Sequence, residues 1–582
     1  MKIQYILWAA AFASVITSCD VTDKKPIDSF TDKSYWSKVS DLEYYANDLY
    51  DGLQKPGIDK DNESDNCVTT NYKSILFNEQ NIPAKASNDG SKWKWETIRK
   101  CNFFLQRYQQ VEGTEDEINP YVAEVRFFRA LDYFDKIKAY GDVPWYDKDL
   151  QTSDTEELYK ARDPRDMVLG KIIEDLEYAI QWLPEKSVAV KGRLNKDAAR
   201  TQLARTCLYY GTYKKYHNES GAPTWQELLQ KAVAVTNDVM ANGYEIVKGP
   251  DPLSPYHVDG YPLSYCNQFV QEDLTSNKEC ILPRIYIDGV LTHETGRQAG
   301  SSNTGLTKDF AESFLCKDGT PIFAPGSSYQ GDETLQDEFT NRDPRMYQII
   351  DNKLRPYRVK NGERIFNTVP DCGASSAVTG YPCMKYNSPD ENQWAANKCT
   401  YDWFVYRYAE VLLINAEANA ELGQCTQAVL DATINQLRDR VEMAHLTTSP
   451  AVDPKPIDYG YTVDPLIYEI RRERRIELIT EGFRLDDLKR WNGMKVLQNP
   501  KTMMGIRITQ AVRDLYDGNT TFGGADGRPT IQYDGKEYLW QYPSKSLNDP
   551  GRVWGADDRR WLSPIPTDQL TLNPKLVQNP GW

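Results

Sequence analysis

Histidine is scarce in this chain. His217, His257, His293 and His445 are the only four in 582 residues, and none of their spacings is that of a metal-ligand pair. No CxxC accompanies them, so a structural zinc site has no ligand set. The motifs GxSxG, HExxH and the phosphate-binding loop are missing too, which removes three well-marked catalytic or nucleotide-binding routes and leaves no cofactor implied. Positive charge is also in deficit: 69 Lys and Arg stand against 84 Asp and Glu, a formal −15. Such a mean field repels nucleic acid and anionic lipid. Beyond the N-terminus no apolar run approaches the roughly 18 residues that a membrane span needs.

What is present is ordinary globular material, 40% hydrophobic and 26% charged, enough for a sizeable core. The chain opens MKIQYILWAAAFASVITSCD, one Lys followed by an apolar run that is too short and one-sided to span a bilayer and reads as an export signal over residues 1–18. The run ends at Ile16-Thr17-Ser18-Cys19, which is similar to a bacterial lipoprotein processing site. Cys19 is then the lipidated first residue and the chain's one membrane contact. Of 11 cysteines ten remain after Cys19, far too dilute for a disulfide scaffold. Cys372 and Cys383, at the ends of a Gly/Ser-rich loop, are the expected pair.

Helical periodicity is strong in several stretches. Ala123, Phe127, Ala130, Phe134 and Ile137 recur at intervals of 4 and 3, and so fall on one face of a helix. Ala199, Leu203, Thr206 and Tyr210 repeat the pattern, as do Leu228, Ala232, Val235 and Val239. Thr224 followed by Glu227 predicts a capping box, and Asp163-Pro164 predicts an N-cap followed by a first helical residue. Two further stripes, Ala409 to Ala420 and Leu430 to Val441, flank Gly423. So short a connection predicts an antiparallel helix pair of tetratricopeptide-like length. From about 250 to 400 the pattern fades into Gly, Pro, Tyr and Asn.

RRERRIEL at 471–478 raises the question of nucleic-acid binding. Glu469, Glu473, Glu477 and Glu481 punctuate the arginines every four residues, which predicts a scaffold helix stopped by Gly482. Its arginines then pair internally, Arg472 with Glu469 and Arg474 with Glu477. The segment ERRIELITEGFRLDDLKRW, 473–491, resembles the C-terminal signature of the SusD/RagB family of Bacteroidetes outer-membrane lipoproteins. WETIRKCNFFLQRY (95–108), AEVRFFRALDYFDKIKAYGDVPWY (123–146), RDPRDMVLGKIIEDLEYAIQWLP (162–184), RYAEVLLINAEANAELG (407–423) and PIPTDQLTLNPKLVQNPGW (564–582) extend the resemblance over nearly the whole mature chain. It implies a mostly α fold, tetratricopeptide-like helix pairs in an αα superhelix bearing a long irregular, loop-rich binding region. It also implies a surface lipoprotein of the outer membrane that captures oligosaccharide or polysaccharide for a TonB-dependent outer-membrane transporter partner. The expected layout is a signal over 1–18, an N-terminal helical region over 19–249, a loop-rich ligand face over 250–400 and a C-terminal region over 401–582, all in one unit.

A sugar site needs flat aromatic rings beside planar hydrogen-bonding groups. Trp93 and Trp95, at i and i+2 in SKWKW, face one side of an extended segment. Around this helix entrance, glycan-binding family members carry platform aromatics. Tyr256, Tyr261, Tyr265, Tyr329 and Trp394 are further loop candidates, with Asn392 and Gln393 beside Trp394. Trp36, Trp145, Trp403 and Trp491 accompany helical motifs and are assigned to the core. The acidic DKDNESDN, 59–66, has Ser64 and Thr70 where a calcium loop has Gly and Glu, and reads as a solvated loop. A secreted glycan-degrading enzyme, a peptide binder and a protein–protein adaptor are the rival classes; no catalytic carboxylate pair is identifiable from spacing.

Overall fold

The computed structural model describes residues 35–582 apart from 89–90, 249–263, 301, 351–355, 368, 374–376 and 517. The expected leader and Cys19 lie outside the described residues. Eight helices of ten residues or more are described: α1 (Val39–Leu49), α2 (Glu96–Leu105), α3 (Glu115–Tyr140), α4 (Arg165–Trp182), α5 (Lys196–Tyr216), α6 (Trp225–Met240), α7 (Tyr408–Glu421) and α8 (Pro465–Glu477). The apolar stripes of the sequence are the buried faces of these helices. Ala123, Phe127, Ala130, Phe134 and Ile137 on α3 are all buried, as are Ala199, Leu203, Thr206 and Tyr210 on α5. The capping box at Thr224 forms, with the Glu227 carboxylate accepting from the Thr224 backbone N–H at 2.7 Å.

The helices pack as successive neighbours, α2 on α3, α3 on α4, α4 on α5 and α5 on α6. The row continues across a long excursion of the chain, because α7 lies on α6 and α8 on α7. Gly211 sets the closest approach: a Cβ there would stand 2.7 Å from Leu229 Cδ2 of α6. The sheets are small and antiparallel. Strands β1 (Cys67–Thr69) and β3 (Thr304–Leu306) pair, as do β2 (Cys280–Arg284) with β6 (Trp403–Arg407) and β4 (Arg358–Lys360) with β5 (Glu363–Ile365). β7 (Met504–Arg507), β8 (Thr530–Tyr533) and β9 (Lys536–Trp540) form a sheet in the order β7-β9-β8. The β2–β6 pair closes the excursion and delivers the chain into α7.

Several local expectations are corrected. α4 begins at Arg165 with Pro164 as its N-cap, because Asp163 is drawn off to accept from the Trp145 N–H at 2.7 Å. The second arm after Gly423 is not one helix but two, Gln427–Ala432 and Ile434–Arg440, broken at Thr433 (φ −129°, ψ −92°). Cys372 and Cys383 are both free thiols. They face different neighbours, Tyr516 and Arg528 for the first, Lys385 and Thr480 for the second. Trp36, Trp145, Trp403 and Trp491 are buried as expected.

α8 is buried on every side, so its four arginines cannot share one partner face. At about 100° per residue, positions 474, 471, 475 and 472 fan over an arc of about 160°. Arg471 reaches Glu421 of α7 at 3.2 Å and Arg472 reaches Asp453 at 2.6 Å and Glu469 at 3.1 Å. Arg474 pairs with Asp487 at 2.9 Å rather than with Glu477, and Arg475 with Asp65 at 3.0 Å and Asp309 at 2.8 Å. The expected i,i+3 pair to Glu477 fails because that carboxylate is already surrounded by Arg345, Arg407 and Arg440. The helix stops at Glu477, short of Gly482, and Thr480 already takes a positive φ of 60°.

The acidic loop is the second surprise of charge. Asp61, Asn62, Ser64, Asp65 and Asn66 are buried, not solvated. Asp65 accepts from both Arg484 Nε at 2.7 Å and Nη2 at 2.8 Å in addition to its Arg475 pair. Burial by itself would raise the Glu477 carboxyl, but Arg440, Arg407 and Arg345 outweigh it and hold it at about 2. Asp65 is likewise held below its usual value against burial by Arg475 and Arg484.

Because the folded pKa values lie below the unfolded ones, this stabilisation is complete above roughly pH 4.5 and lost as pH falls toward about 2. We therefore expect the Tm followed by circular dichroism to drop steeply between those limits; a flat Tm down to pH 2.5 would contradict it. Asp65→Asn leaves Arg484 without a carboxylate and should lower stability by about 3–5 kcal/mol, read from the urea midpoint.

Candidate ligand-binding cleft

In the segment before α2 burial alternates, with Ser91 and Trp93 buried and Lys92 and Lys94 exposed. Trp93 and Trp95 do fall on one side, and that side faces α3. Two α3 residues pin the backbone: the Lys92 N–H donates to the Tyr140 hydroxyl at 3.1 Å, and Lys136 Nζ donates to the carbonyls of Lys92 (3.2 Å) and Lys94. Trp93 is only 3% exposed and meets Tyr140 edge-on at 4.8 Å. It is a core residue whose edge reaches the cleft, not an open platform. Trp95 is partly buried, edge-on to Trp93 at 5.5 Å and to Tyr146 at 5.3 Å, with Lys136 Nζ 4.9 Å from its ring centroid.

These rings form one wall of a cleft of about 310 Å³. The chain after α3 supplies Pro144, Tyr146, Lys148, Leu158 and Tyr159, and the C-terminal segment supplies Gln569, Leu572 and Leu576. Tyr159 is 41% exposed and Leu572 61%. Asn102 and Asn573 stand in the same lining but are committed to the fold. Asn102 Nδ2 donates to the Tyr146 carbonyl while its Oδ1 accepts from Arg129; Asn573 Nδ2 donates to the Lys160 carbonyl. The groups left to meet a ligand are Tyr159, Gln569 and Lys148; Arg99 pairs with Asp149 at 3.6 Å. Burial, with Glu157 and Asp163 nearby, pushes the Tyr146 phenol up to about 12, which keeps it neutral across the physiological range. No described residue lining the cleft is a carboxylate.

The remaining sequence candidates do not join it. Tyr256 and Tyr261 lie outside the described residues. Tyr265 is fully buried, donating its hydroxyl to the Glu477 carbonyl at 2.7 Å, and it is removed from the candidate site. Tyr329 is half-buried with the Arg342 guanidinium 5.0 Å from its ring centroid. Trp394 forms a separate spot beside the β4–β5 hairpin. Its Nε1 donates to the Ser388 carbonyl at 2.7 Å, Tyr357 meets it edge-on at 4.7 Å, and Arg358 lies 5.0 Å from its centroid. Asn392 is exposed there, donating to Asp390 at 3.0 Å. Gln393 is buried and engaged with Glu272 and Thr400. Sequence reasoning missed Tyr146, Tyr159 and the C-terminal wall. Tyr146 closes the quoted GDVPWY stretch, whereas Tyr159 sits in an otherwise acidic segment and carried no pattern.

Known proteins share this architecture. A SusD-like protein of Bacteroides fragilis NCTC 9343 is 25% identical and superposes with a TM-score of 0.68, over 96% of this chain and 100% of its own. A SusD-like carbohydrate binding protein of the same strain is 22% identical, with a TM-score of 0.66 over 94% and 100%. Among characterised sequences, a SusD-like protein of Formosa agariphila is 23% identical over 83% of this chain and 78% of its own, and a second from that organism 23% over 84% and 90%. Residues 23–208 match the family model described as starch-binding associating with outer membrane. The SusD family model matches residues 265–582, more than half of the sequence, and the chain belongs to the SusD family.

Proposed function

We propose that this protein is a non-catalytic glycan-binding lipoprotein, tethered through Cys19 to the cell surface of the outer membrane, that captures oligosaccharide or polysaccharide in the Trp95 cleft and passes it to a TonB-dependent outer-membrane transporter. The observation that carries the reading is the cleft itself: indole and phenol rings along one wall, unengaged polar groups at the mouth and no carboxylate pair. Sugar rings present C–H patches to aromatic faces and hydroxyls to planar polar groups, which is what Trp95, Tyr159 and Gln569 offer. The family model's description as starch-binding and outer-membrane-associated supports both the ligand class and the place. A cleft that covers one or two sugar rings binds weakly, in the roughly micromolar to millimolar range.

A peptide reading draws on a specific feature, the apolar far wall of Leu158, Leu572 and Leu576. The two readings part on one measurement. Purified protein is incubated with a glycan panel and, separately, with a tryptic peptide mixture. We expect retention on at least one glycan with no new reducing ends; release of shorter sugars overturns the non-catalytic assignment, and retention of peptides alone overturns the ligand class.

The two tryptophans should behave differently. Trp95→Ala is expected to weaken glycan retention by about 3- to 10-fold, the loss of roughly 0.5–1.5 kcal/mol of ring contact, with the helical circular-dichroism signal intact. Trp93→Ala removes a core ring and should lower stability by about 3–5 kcal/mol. Equal and unaltered affinity and stability in both variants would place the ligand elsewhere.

A further inference from the structure

A second cavity, of about 370 Å³, opens on the other side of the 91–95 segment, between α3, α5 and the stretch 481–490. Its size is within the range of small-ligand sites, about 300–1,000 Å³, but its lining is charged where the Trp95 cleft is apolar. Four carboxylates face it, and all four are already matched. Asp135 and Asp486 hold Lys138 between them at 3.1 and 2.8 Å. Asp487 takes Arg474 and Arg490, both at 2.9 Å. Glu481 takes Arg407 and Lys385, both at 2.6 Å. Two of the cations are equally committed, Arg205 to Glu410 at 2.6 Å and Arg490 to Glu417 at 2.5 Å.

Two lysines are left over, and a third cation, Arg474, is paired with Asp487 but not fully hydrogen-bonded. Lys60 lies along Gly482, its Cβ 3.4 Å from where a Cβ on that glycine would stand, and its ammonium makes no ion pair or hydrogen bond among the described residues. Burial holds that ammonium below its usual value, against a smaller opposing pull from Asp59. Lys92 projects from the pinned segment, likewise without an ion pair among the described residues. Arg474 is 3% exposed, yet its hydrogen bonds to Asp487 both come from Nε, and its Nη1 is buried with no hydrogen-bond partner. The two lysines, one half-buried and one exposed, bring to the cavity positive charge that its own carboxylates do not match.

We infer that this cavity binds a small ligand through an oxyanion, a carboxylate or a sulfate on a molecule about the size of a sugar ring, held by Lys60 and Lys92. The anion supplies the counter-charge that the two ammonium groups lack. The site is separate from the Trp95 cleft and does not depend on what occupies that cleft.

The test is calorimetric titration of the purified protein in low-chloride buffer with sodium sulfate, with sodium glucuronate and with glucose. We expect saturable binding of at least one of the two anions and none of glucose; which anion binds more tightly distinguishes a sulfate ester from a uronate as the natural group. Lys60→Gln should weaken that binding about 10-fold, while leaving the circular-dichroism spectrum and the glycan retention of the Trp95 cleft unchanged. Lys92→Gln, at an exposed position, provides a second variant with the same expected direction. Absence of saturable binding by either anion, or equal affinity in the wild type and both variants, overturns the inference.

Discussion

Everything in this fold meets at α8. A helix that is buried all round, carrying four arginines, is tolerable only if each charge finds a carboxylate, since an unpaired buried charge costs several kcal/mol. The sequence around α8 satisfies that demand by sending each arginine to a different element. Arg471 binds the end of α7, Arg472 the 453 loop, Arg474 the helix after Gly482 and Arg475 the loop before β1. Single pairs of this kind are close to neutral in stability against an apolar replacement. What they add is mutual placement: four parts of the chain are fixed relative to one axis, because each alternative packing strands a charge.

The excursion between α6 and α7 is stitched into the same frame. Glu279, next to β2, meets Arg407 at the end of β6 and Arg440 at the end of the broken arm, both at 2.9 Å. Arg345 bridges Asp343 to Glu473 at 2.7 and 2.5 Å. These contacts explain why the region reads as loops yet presents few rings outward. Tyr265, Tyr286, Tyr381 and Tyr386 turn inward to form a second apolar core with Phe269, Phe310 and Phe314. A segment whose charges are anchored at the centre of the molecule carries its aromatic side chains inward with them.

Legibility from sequence divides along the same line. Helix positions, the Thr224 capping box and the burial of the scaffold tryptophans were readable because periodicity and capping are local. The internal pairing of the arginines was readable from the interleaved glutamates, but not the partners: Asp65 stands 410 positions from Arg475, and nothing in DKDNESDN separates a buried counter-charge from a solvated loop. The same limit applied to the site. Alternation placed Trp93 and Trp95 on one side of their segment, but which side faces α3 is a tertiary fact, so Trp93 could be named without its burial being known. Tyr159 and Leu572 come together from positions more than 400 residues apart, and no spacing connects them.

The segment 91–95 therefore does more than carry a ring. Its period-two alternation turns Trp93 and Trp95 toward an apolar cleft and Lys92 toward a charged cavity, and α3 holds both arrangements at once through Tyr140 and Lys136. Lys136 is itself buried and paired with Asp132 at 3.2 Å, so the pin is fixed from below and not by solvent-exposed contacts that fluctuate. A wall set in this way needs little ordering when a ligand arrives, and the cost of binding falls accordingly. Weak contacts with the proposed sugar ligand would then suffice, because the rings are already in place.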